Sequence, residues 1–288
     1  MRPAKFEYFA PESLAEAARL LAESDGTGRI LAGGQSLMPA MNLRLARPSR
    51  VIDLRKVPAL DGIVIEAGRV RIGAKVTHAA LIESKPLQAL VPLIAMAGRH
   101  IAHSTVREHG TMGGSLALAD PASEWPTVVT LLGGRVRTLS IRGERWIDTR
   151  SFFVSFYTTE LAADEILVEI EIPLPKPGTR FAFNEFARQR GAFAIAMAAV
   201  ALDASPAGSA GRFEVVIGGC GAQPVRIDFG SVDTTEQLQE RIEEAFTRAA
   251  VAPTGDIHAS AEDRRSIASS LVGAGIASLL RSAGEGSV

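Results

Sequence analysis

Apolar residues change their period several times along the chain, and each change marks an element. Leu14, Ala17, Ala18 and Leu21 recur at helical spacing. Ser13, with Glu16 three residues on, forms a capping box at the front of that helix, and Gly26 stands where it should end. Arg29-Ile30-Leu31-Ala32 reads as a strand, Gly33-Gly34-Gln35-Ser36 interrupts it, and a short helix is predicted over 37–45. Val51-Ile52-Asp53-Leu54 reads as a second strand. Val70 to Ala74 follows as another, and Thr77 caps a helix that runs to Glu83. Helices are predicted over 91–101 and 124–132, and a hairpin over 136–147 with Arg142-Gly143 near its turn. Ile166, Val168, Ile170 and Ile172 alternate with Glu169 and Glu171, the clearest half-buried strand in the sequence.

Pro173-Leu174-Pro175-Lys176-Pro177-Gly178 can neither continue a strand nor enter a helix, so it is the strongest linker signal. Beyond it, strands are predicted over 181–186, 197–202 and 213–217, and helices over 235–251 and 261–282. The closing Gly284-Glu285-Gly286-Ser287 is expected to fray. Three lobes result: 1–55 and 56–175, then a C-terminal lobe over 176–288. No internal repeat of the solenoid kind is present.

Composition narrows the chemistry. The 288 residues are 47% hydrophobic and 22% charged, enough for real cores and more than one lobe. Thirty-one basic residues against thirty-two acidic ones argue against nucleic acid or an anionic membrane as partner. Cys220, the single cysteine, can make no internal disulfide, hold no iron–sulfur cluster and build no cysteine-rich zinc site. An electron-handling chain of this kind must use an organic cofactor. No secretory signal and no integral membrane segment are read in the sequence, so a cytoplasmic location is expected.

Two glycine segments carry the chemical signal. Ala32-Gly33-Gly34-Gln35-Ser36 lies between a strand and a helix, and Gly110-Thr111-Met112-Gly113-Gly114-Ser115 precedes Leu116-Ala117-Leu118-Ala119-Asp120-Pro121. Paired glycines let the backbone turn with no side chain in the way, so that successive N–H groups can face one concavity suited to phosphate oxygens. A helix starting just after such a turn adds its own free N–H groups and the positive end of its dipole. Ser36, Thr111 and Ser115 supply hydroxyls beside the glycines. One such turn is more often only a turn. Two of them, in adjacent segments and flanked by hydroxyl residues, point to a diphosphate-containing ligand without choosing among dinucleotides. No Gly-Lys-Ser/Thr phosphate loop occurs. Gly273-Ala274-Gly275-Ile276-Ala277-Ser278 lacks a third glycine and a preceding strand, and reads as close helix packing.

The same two segments resemble the FAD motifs of the molybdenum hydroxylase flavoproteins, the xanthine dehydrogenase and carbon monoxide dehydrogenase family. The resemblance runs nearly the whole length through Phe6-Glu7-Tyr8, Val51-Ile52-Asp53-Leu54-Arg55, Ala119-Asp120-Pro121-Ala122-Ser123-Glu124-Trp125-Pro126, Ile217-Gly218-Gly219 and Gln223-Pro224-Val225-Arg226. It implies an α+β chain: a two-lobed FAD-binding fold of the vanillyl-alcohol-oxidase (PCMH) type plus a C-terminal α+β lobe with an antiparallel sheet. It implies that Ala32, Gly33, Gly34, Gln35, Ser36 and Leu37, with Thr111, Gly113, Gly114 and Ser115, hold the FAD pyrophosphate. Ala119 and Asp120 would serve the ribose and adenine half, and Leu54 and Leu161 would lie near the adenine. Ile101 would approach the flavin ring, Phe193 would cover it, and His103 would touch the cofactor. Ser115 stands where the family often has Asn, and Phe193 where a tyrosine is common. The family often carries a lysine near Glu185, and no lysine stands there in this sequence.

The resemblance also implies a division of labour. FAD would take electrons from two [2Fe-2S] clusters of a small partner subunit and pass them to an external acceptor, while hydroxylation proceeds at the molybdenum cofactor of a large subunit. The assembly implied is a dimer of heterotrimers. No catalytic residue and no metal site is assigned to this chain. His100, His103 and His109 lack the spacing and carboxylates of a zinc site. Cys220 reads as packing, Glu169 and Glu171 as a wet strand face, and Trp125 and Trp146 as anchors. The rival readings are a stand-alone FAD-dependent oxidase, against which the short third lobe speaks, and a non-redox nucleotide-binding module, against which both intact glycine motifs speak.

Overall fold

The computed structural model of the chain describes residues 2–203, 211–232 and 234–284, and of 282–284 the backbone alone. The first sheet is parallel, with strands β1 (Glu7–Phe9), β2 (Gly28–Leu31) and β3 (Arg50–Asp53) in the order β1-β3-β2. Helix α1 (Leu14–Ala22) crosses between the first two strands. Ser13 Oγ accepts from Glu16 N at 3.2 Å, the cap its sequence promised. Its buried stripe of Ala17, Ala18, Leu20 and Leu21 meets Ile52 and Leu54. Helix α2 (Leu37–Asn42) is shorter than the pattern predicted, because the chain turns at Arg44 with φ 60°.

The second sheet is antiparallel. Strands β4 (Ile63–Glu66), β5 (Arg69–Gly73), β6 (Arg135–Ser140) and β7 (Gly143–Asp148), a small hairpin of β8 (Phe153–Ser155) and β9 (Thr158–Thr159), and β10 (Ile166–Pro173) follow in sequence. The sheet order is β4-β5-β10-β6-β7. Between β5 and β6 run α3 (His78–Glu83), α4 (Lys85–Leu90), α5 (Pro92–Gly98), α6 (Ser104–His109), α7 (Met112–Leu118) and α8 (Glu124–Leu131), with the short α9 (Thr149–Phe152) after β7. The helix predicted over 91–101 thus ends at Gly98. Thr77 caps α3 as expected, its Oγ1 accepting from Ala80 N at 3.2 Å.

Strand β10 corrects the simple alternation. Its pairing with β6 slips by one residue between Leu167 and Glu169. Leu167, Ile170 and Ile172 join the central core, whereas Ile166 and Val168 join the core under the first sheet. Past the bulge, the glutamates take the opposite face from Ile170. That face is not wet: Glu169 and Glu171 are each only 9% exposed. Arginines cover them, Arg71 gripping Glu169 through Nε and Nη2 at 2.9 and 2.7 Å, and Arg135 and Arg69 reaching Glu171 at 2.8 and 3.3 Å. Arg135 also lies 4.3 Å over the Trp146 ring.

The third sheet is an antiparallel meander of β11 (Arg180–Ala187), β12 (Ala194–Leu202), β13 (Arg212–Gly218) and β14 (Val225–Ser231). Strand β14 went unpredicted. Helices α10 (Leu238–Arg248) and α11 (Ala261–Gly284) cover one face, and α5 and α8 cover the other. Buried on both faces, β12 is a continuous apolar run rather than an alternating one. A Cβ on Gly275 would stand 2.8 Å from Val200 Cγ2, so the glycines of α11 serve close packing, as read. Cys220 is buried, its Sγ 3.8 Å from the Arg264 carbonyl. The expected fraying of Glu285-Gly286-Ser287 lies outside the described residues. No helix among the described residues is long and apolar enough to cross a membrane.

Candidate functional site

The two glycine segments, 77 positions apart from Gly33 to Gly110, meet in space. A Cβ on Gly33 would stand 2.2 Å from the His109 carbonyl oxygen and 2.9 Å from Gly110 Cα, so only hydrogen fits there. One on Gly114 would lie 3.8 Å from the Ala32 methyl group. Sterics, not backbone angle, demand glycine at 33, whereas Gly34 has φ 72°.

The segments contribute differently. Among the described residues, no hydrogen bond to another group of the chain is donated by the backbone N–H of Gly33, Gly34, Gln35 or Ser36. This run of free donors at the edge of the first sheet is suited to an anion. The second segment is not the open turn that was expected: Gly113 and Gly114 lie inside the first turn of α7, with Thr111 as its cap. Their N–H groups are spent, Gly113 N on Ala74 O at 3.1 Å and Gly114 N on Thr111 Oγ1 at 3.1 Å. Glycine is needed at 113 because a Cβ would stand 2.6–2.7 Å from Ala74. What this segment can offer a ligand is its hydroxyls. Ser115 Oγ shares a 2.7 Å bond with Ser123 Oγ.

The other expected site residues divide. Ala119 ends α7 with φ 52°, placing Asp120 just beyond it. Asp120 accepts from Ala122 N at 3.0 Å and from the Tyr157 hydroxyl at 3.3 Å. Burial raises its pKa against the pull of those two donors. Asp120 and Phe193, which is 70% exposed, line one cleft of about 610 Å³ together with Phe156, Tyr157 and Arg188. His103, with Ala102, borders the loop before β12: a Cβ on Gly191 would stand 2.9 Å from both the Ala102 carbonyl and His103 Cε1, whereas the Ile101 side chain is buried in the central core. The Leu54 side chain is buried in the core under the first sheet, so its backbone alone can face a ligand. Leu161 is half-buried against the central core. Leu37 packs beside Met41 at the foot of α2.

Several polar groups escaped sequence reasoning. Phe156-Tyr157 could have been noticed as adjacent aromatics in a polar stretch, at a turn where Tyr157 has φ 51°. His78 is buried and takes the Trp125 indole N–H on Nδ1 at 2.9 Å, and burial, with Arg107 nearby, lowers its pKa to about 4. Glu124 opens α8 in a buried position. Burial first, then Glu185, raises its pKa to about 8, while burial alone takes Glu185 to about 7. Among the described residues, no group of three or more His, Cys, Asp or Glu is arranged to hold a metal.

Residues 4–175 match the family model of the FAD binding domain in molybdopterin dehydrogenase. Over 276 residues the chain is 39% identical to the nicotine 6-hydroxylase medium subunit of Paenarthrobacter nicotinovorans, covering 94% of this chain and 96% of that one. Over 202 residues it is 38% identical to the carbon monoxide dehydrogenase medium chain of Hydrogenophaga pseudoflava, 70% of each. A solved chain of quinoline 2-oxidoreductase from Pseudomonas putida 86 superposes with a TM-score of 0.90 at 34% identity, over 98% of this chain and 99% of that one.

Proposed function

Since the chain belongs to the family of FAD-binding medium subunits of molybdenum hydroxylases, we propose that its FAD lies along the seam where the two glycine segments touch. The chain is the flavin subunit of an oxidoreductase complex: it accepts electrons from a partner's [2Fe-2S] clusters and passes them to an external acceptor. The free N–H groups of 33–36 would receive the pyrophosphate, and Leu37 would brace that loop. Thr111 and Ser115 would add hydroxyls, with Gly113 and Gly114 allowing the close approach. Ala119 and Asp120 would serve the ribose and adenine half beside Leu54 and Leu161. Ile101, His103 and Phe193 would enclose the ring. The observation that carries this reading is the contact of Gly33 with the His109–Gly110 backbone, which sets a run of unspent donors beside hydroxyls from a second segment.

When bound, FAD supplies the exchange between one-electron and two-electron carriers. The chain's residues position the cofactor, tune it and shield it, so no nucleophile or acid–base constellation is required of them. We further propose lobes over 1–55, 56–175 and 176–288, assembly with a large molybdenum-cofactor subunit and a small iron–sulfur subunit as a dimer of heterotrimers, and a cytoplasmic location. The test is to purify the native complex, weigh its subunits and record its visible spectrum. Flavin and iron–sulfur bands with both partners present are expected. A chain that binds no FAD after reconstitution overturns the reading, and a yellow chain that turns over an organic substrate alone makes it a stand-alone oxidase.

A further inference from the structure

Tyr157 holds a backbone conformation that an aromatic residue rarely takes. It stands with φ 51° at the tip of the β8–β9 hairpin, where glycine or asparagine is the ordinary choice because a Cβ crowds the following carbonyl. Eight non-glycine residues have positive φ among the described residues, and Tyr157 is the one aromatic. Packing does not explain it, since Tyr157 is 61% exposed and its neighbour Phe156 is 46% exposed. Strain that burial does not offset clusters where a chain meets a ligand.

The groups that Tyr157 reaches point to its use. Its backbone N–H donates to Ala119 O at 3.3 Å, and Ala119 is itself left-handed at φ 52°. Its hydroxyl donates to Asp120 Oδ2 at 3.3 Å, while Ala122 N donates to Oδ1 at 3.0 Å. Two strained backbone positions are thus bonded to each other, and together they deliver one carboxylate, that of Asp120. Asp120, Phe156, Tyr157 and Phe193 line the same cleft of about 610 Å³. A third left-handed residue, Ala102, abuts Gly191 of the cleft wall, its carbonyl 2.9 Å from where a Cβ would stand. The hydroxyl–carboxylate contact is long against the usual range of about 2.5–2.7 Å, so it orients Asp120 without saturating it.

We propose that Tyr157 is a cofactor-positioning residue: its hydroxyl aims the Asp120 carboxylate at a sugar hydroxyl of FAD, and its ring walls that side of the cleft. The proposal rests on the FAD reading above and adds a residue to it. Chemistry selects the target. An ionised carboxylate can only accept, and pyrophosphate oxygens are acceptors too, so the hydroxyls along the cofactor's sugar chain, not its pyrophosphate, are what Asp120 can bind.

The test compares Tyr157→Gly, Tyr157→Phe, Asp120→Ala and the Tyr157→Phe/Asp120→Ala double variant in the full chain. FAD affinity is read from quenching of flavin fluorescence, and stability from thermal unfolding of the FAD-free chain. Tyr157→Gly removes the strain together with the ring and the hydroxyl. Its FAD-free Tm should therefore be no lower than that of wild type, while FAD affinity falls by about 10- to 100-fold. A residue kept for stability alone would move both in the same direction. Tyr157→Phe loses only the hydroxyl, so affinity should fall by about 2- to 10-fold with Asp120 present and stay unchanged in the Asp120→Ala background. A Tyr157→Gly chain that loses stability in step with FAD, or one that keeps wild-type affinity, overturns the proposal and leaves the FAD reading intact. An equal effect of Tyr157→Phe with and without Asp120 does the same. A wild-type chain that takes no FAD overturns the reading itself.

Discussion

Replacing Gly33 by alanine tests the seam directly. The new methyl carbon would meet the His109 carbonyl oxygen at 2.2 Å and Gly110 Cα at 2.9 Å, where ordinary contact begins near 3.4 Å. Both obstacles are backbone, and Gly110 is held by the bond from His78 N to its carbonyl at 2.9 Å and by its own bond to Val106 O at 2.7 Å. No rotamer change can relieve the clash, so the two segments must separate by about an ångström. Overpacking of that kind costs about 1–3 kcal/mol. The cost falls on the geometry that aligns the free N–H groups of 33–36 with Thr111 and Ser115, so FAD affinity should drop by roughly 5- to 150-fold, at about 1.4 kcal/mol per tenfold. The assay is reconstitution of the apo chain with FAD, followed by quenching of flavin fluorescence, with thermal unfolding of the apo chain measured in parallel. Gly62→Ala is the control: no heavy atom lies within 4 Å of its Cβ position, and its effect should stay within about 0.5 kcal/mol. A Gly33→Ala chain that takes FAD as tightly as wild type refutes the claim that the two segments grip one ligand.

Three further outcomes are expected. His78 is neutral in the fold with a pKa of about 4, against 6.5 unfolded, so its contribution is present above pH 6.5 and is lost as pH falls toward 4. The loss, about 3 kcal/mol, should show in denaturant melts as an acid-side decline that a His78→Leu variant lacks. Glu165→Ala removes the Arg145 pair and the bond from Ala162 N at 2.8 Å, and with Arg145 partly exposed it should cost about 2 kcal/mol in the same melts. Phe193→Ala should leave thermal stability within about 0.5 kcal/mol, since the ring is 70% exposed, but should alter the flavin spectrum and its rate of reoxidation if Phe193 covers the ring.

What could be read in the sequence follows the range of each signal. Caps act over three residues, and Ser13 and Thr77 cap where their neighbours said they would. The turn at Arg142-Gly143 is equally local, and β6 and β7 flank it. Burial of β10 was legible but its phase was not, because the slip at Val168 is imposed by pairing with β6, a strand some 30 residues away in sequence. Strand β14 had its signal in Val225, Ile227 and Phe229 at period two, hidden by the exposed polar residues between them. Glycines at 113 and 114 argued for a turn because glycine is a poor helix former. They sit in a helix, and glycine is required at 113 because Ala74 leaves no room for a side chain, a constraint from a segment 39 residues back that no local pattern contains. Nor could the site's division of labour, free amides from one segment and hydroxyls from the other, be seen before the hydrogen bonds of the second segment were known.

The distribution of unsatisfied polar atoms separates frame from function. The face of the second sheet that carries Glu169 and Glu171 buries charge heavily, yet its carboxylates are tied to arginines, and replacing one of those partners would be a matter of stability alone. Of the six buried side-chain atoms without a hydrogen-bond partner among the described residues, Arg50 Nη1 and Arg137 Nε belong to the first and second sheets and Arg264 Nε to α11, while Thr127 Oγ1, Thr130 Oγ1 and Glu185 Oε2 lie on α8 and β11, where the third sheet packs on α5 and α8. Leaving the two threonine hydroxyls unpaired costs about 1–3 kcal/mol each. The cleft lined by Phe193 and Asp120 reaches the start of β12 in the same sheet. Buried polar groups are therefore left unpaired where the third sheet packs on α5 and α8, beside the cleft proposed to hold the flavin ring.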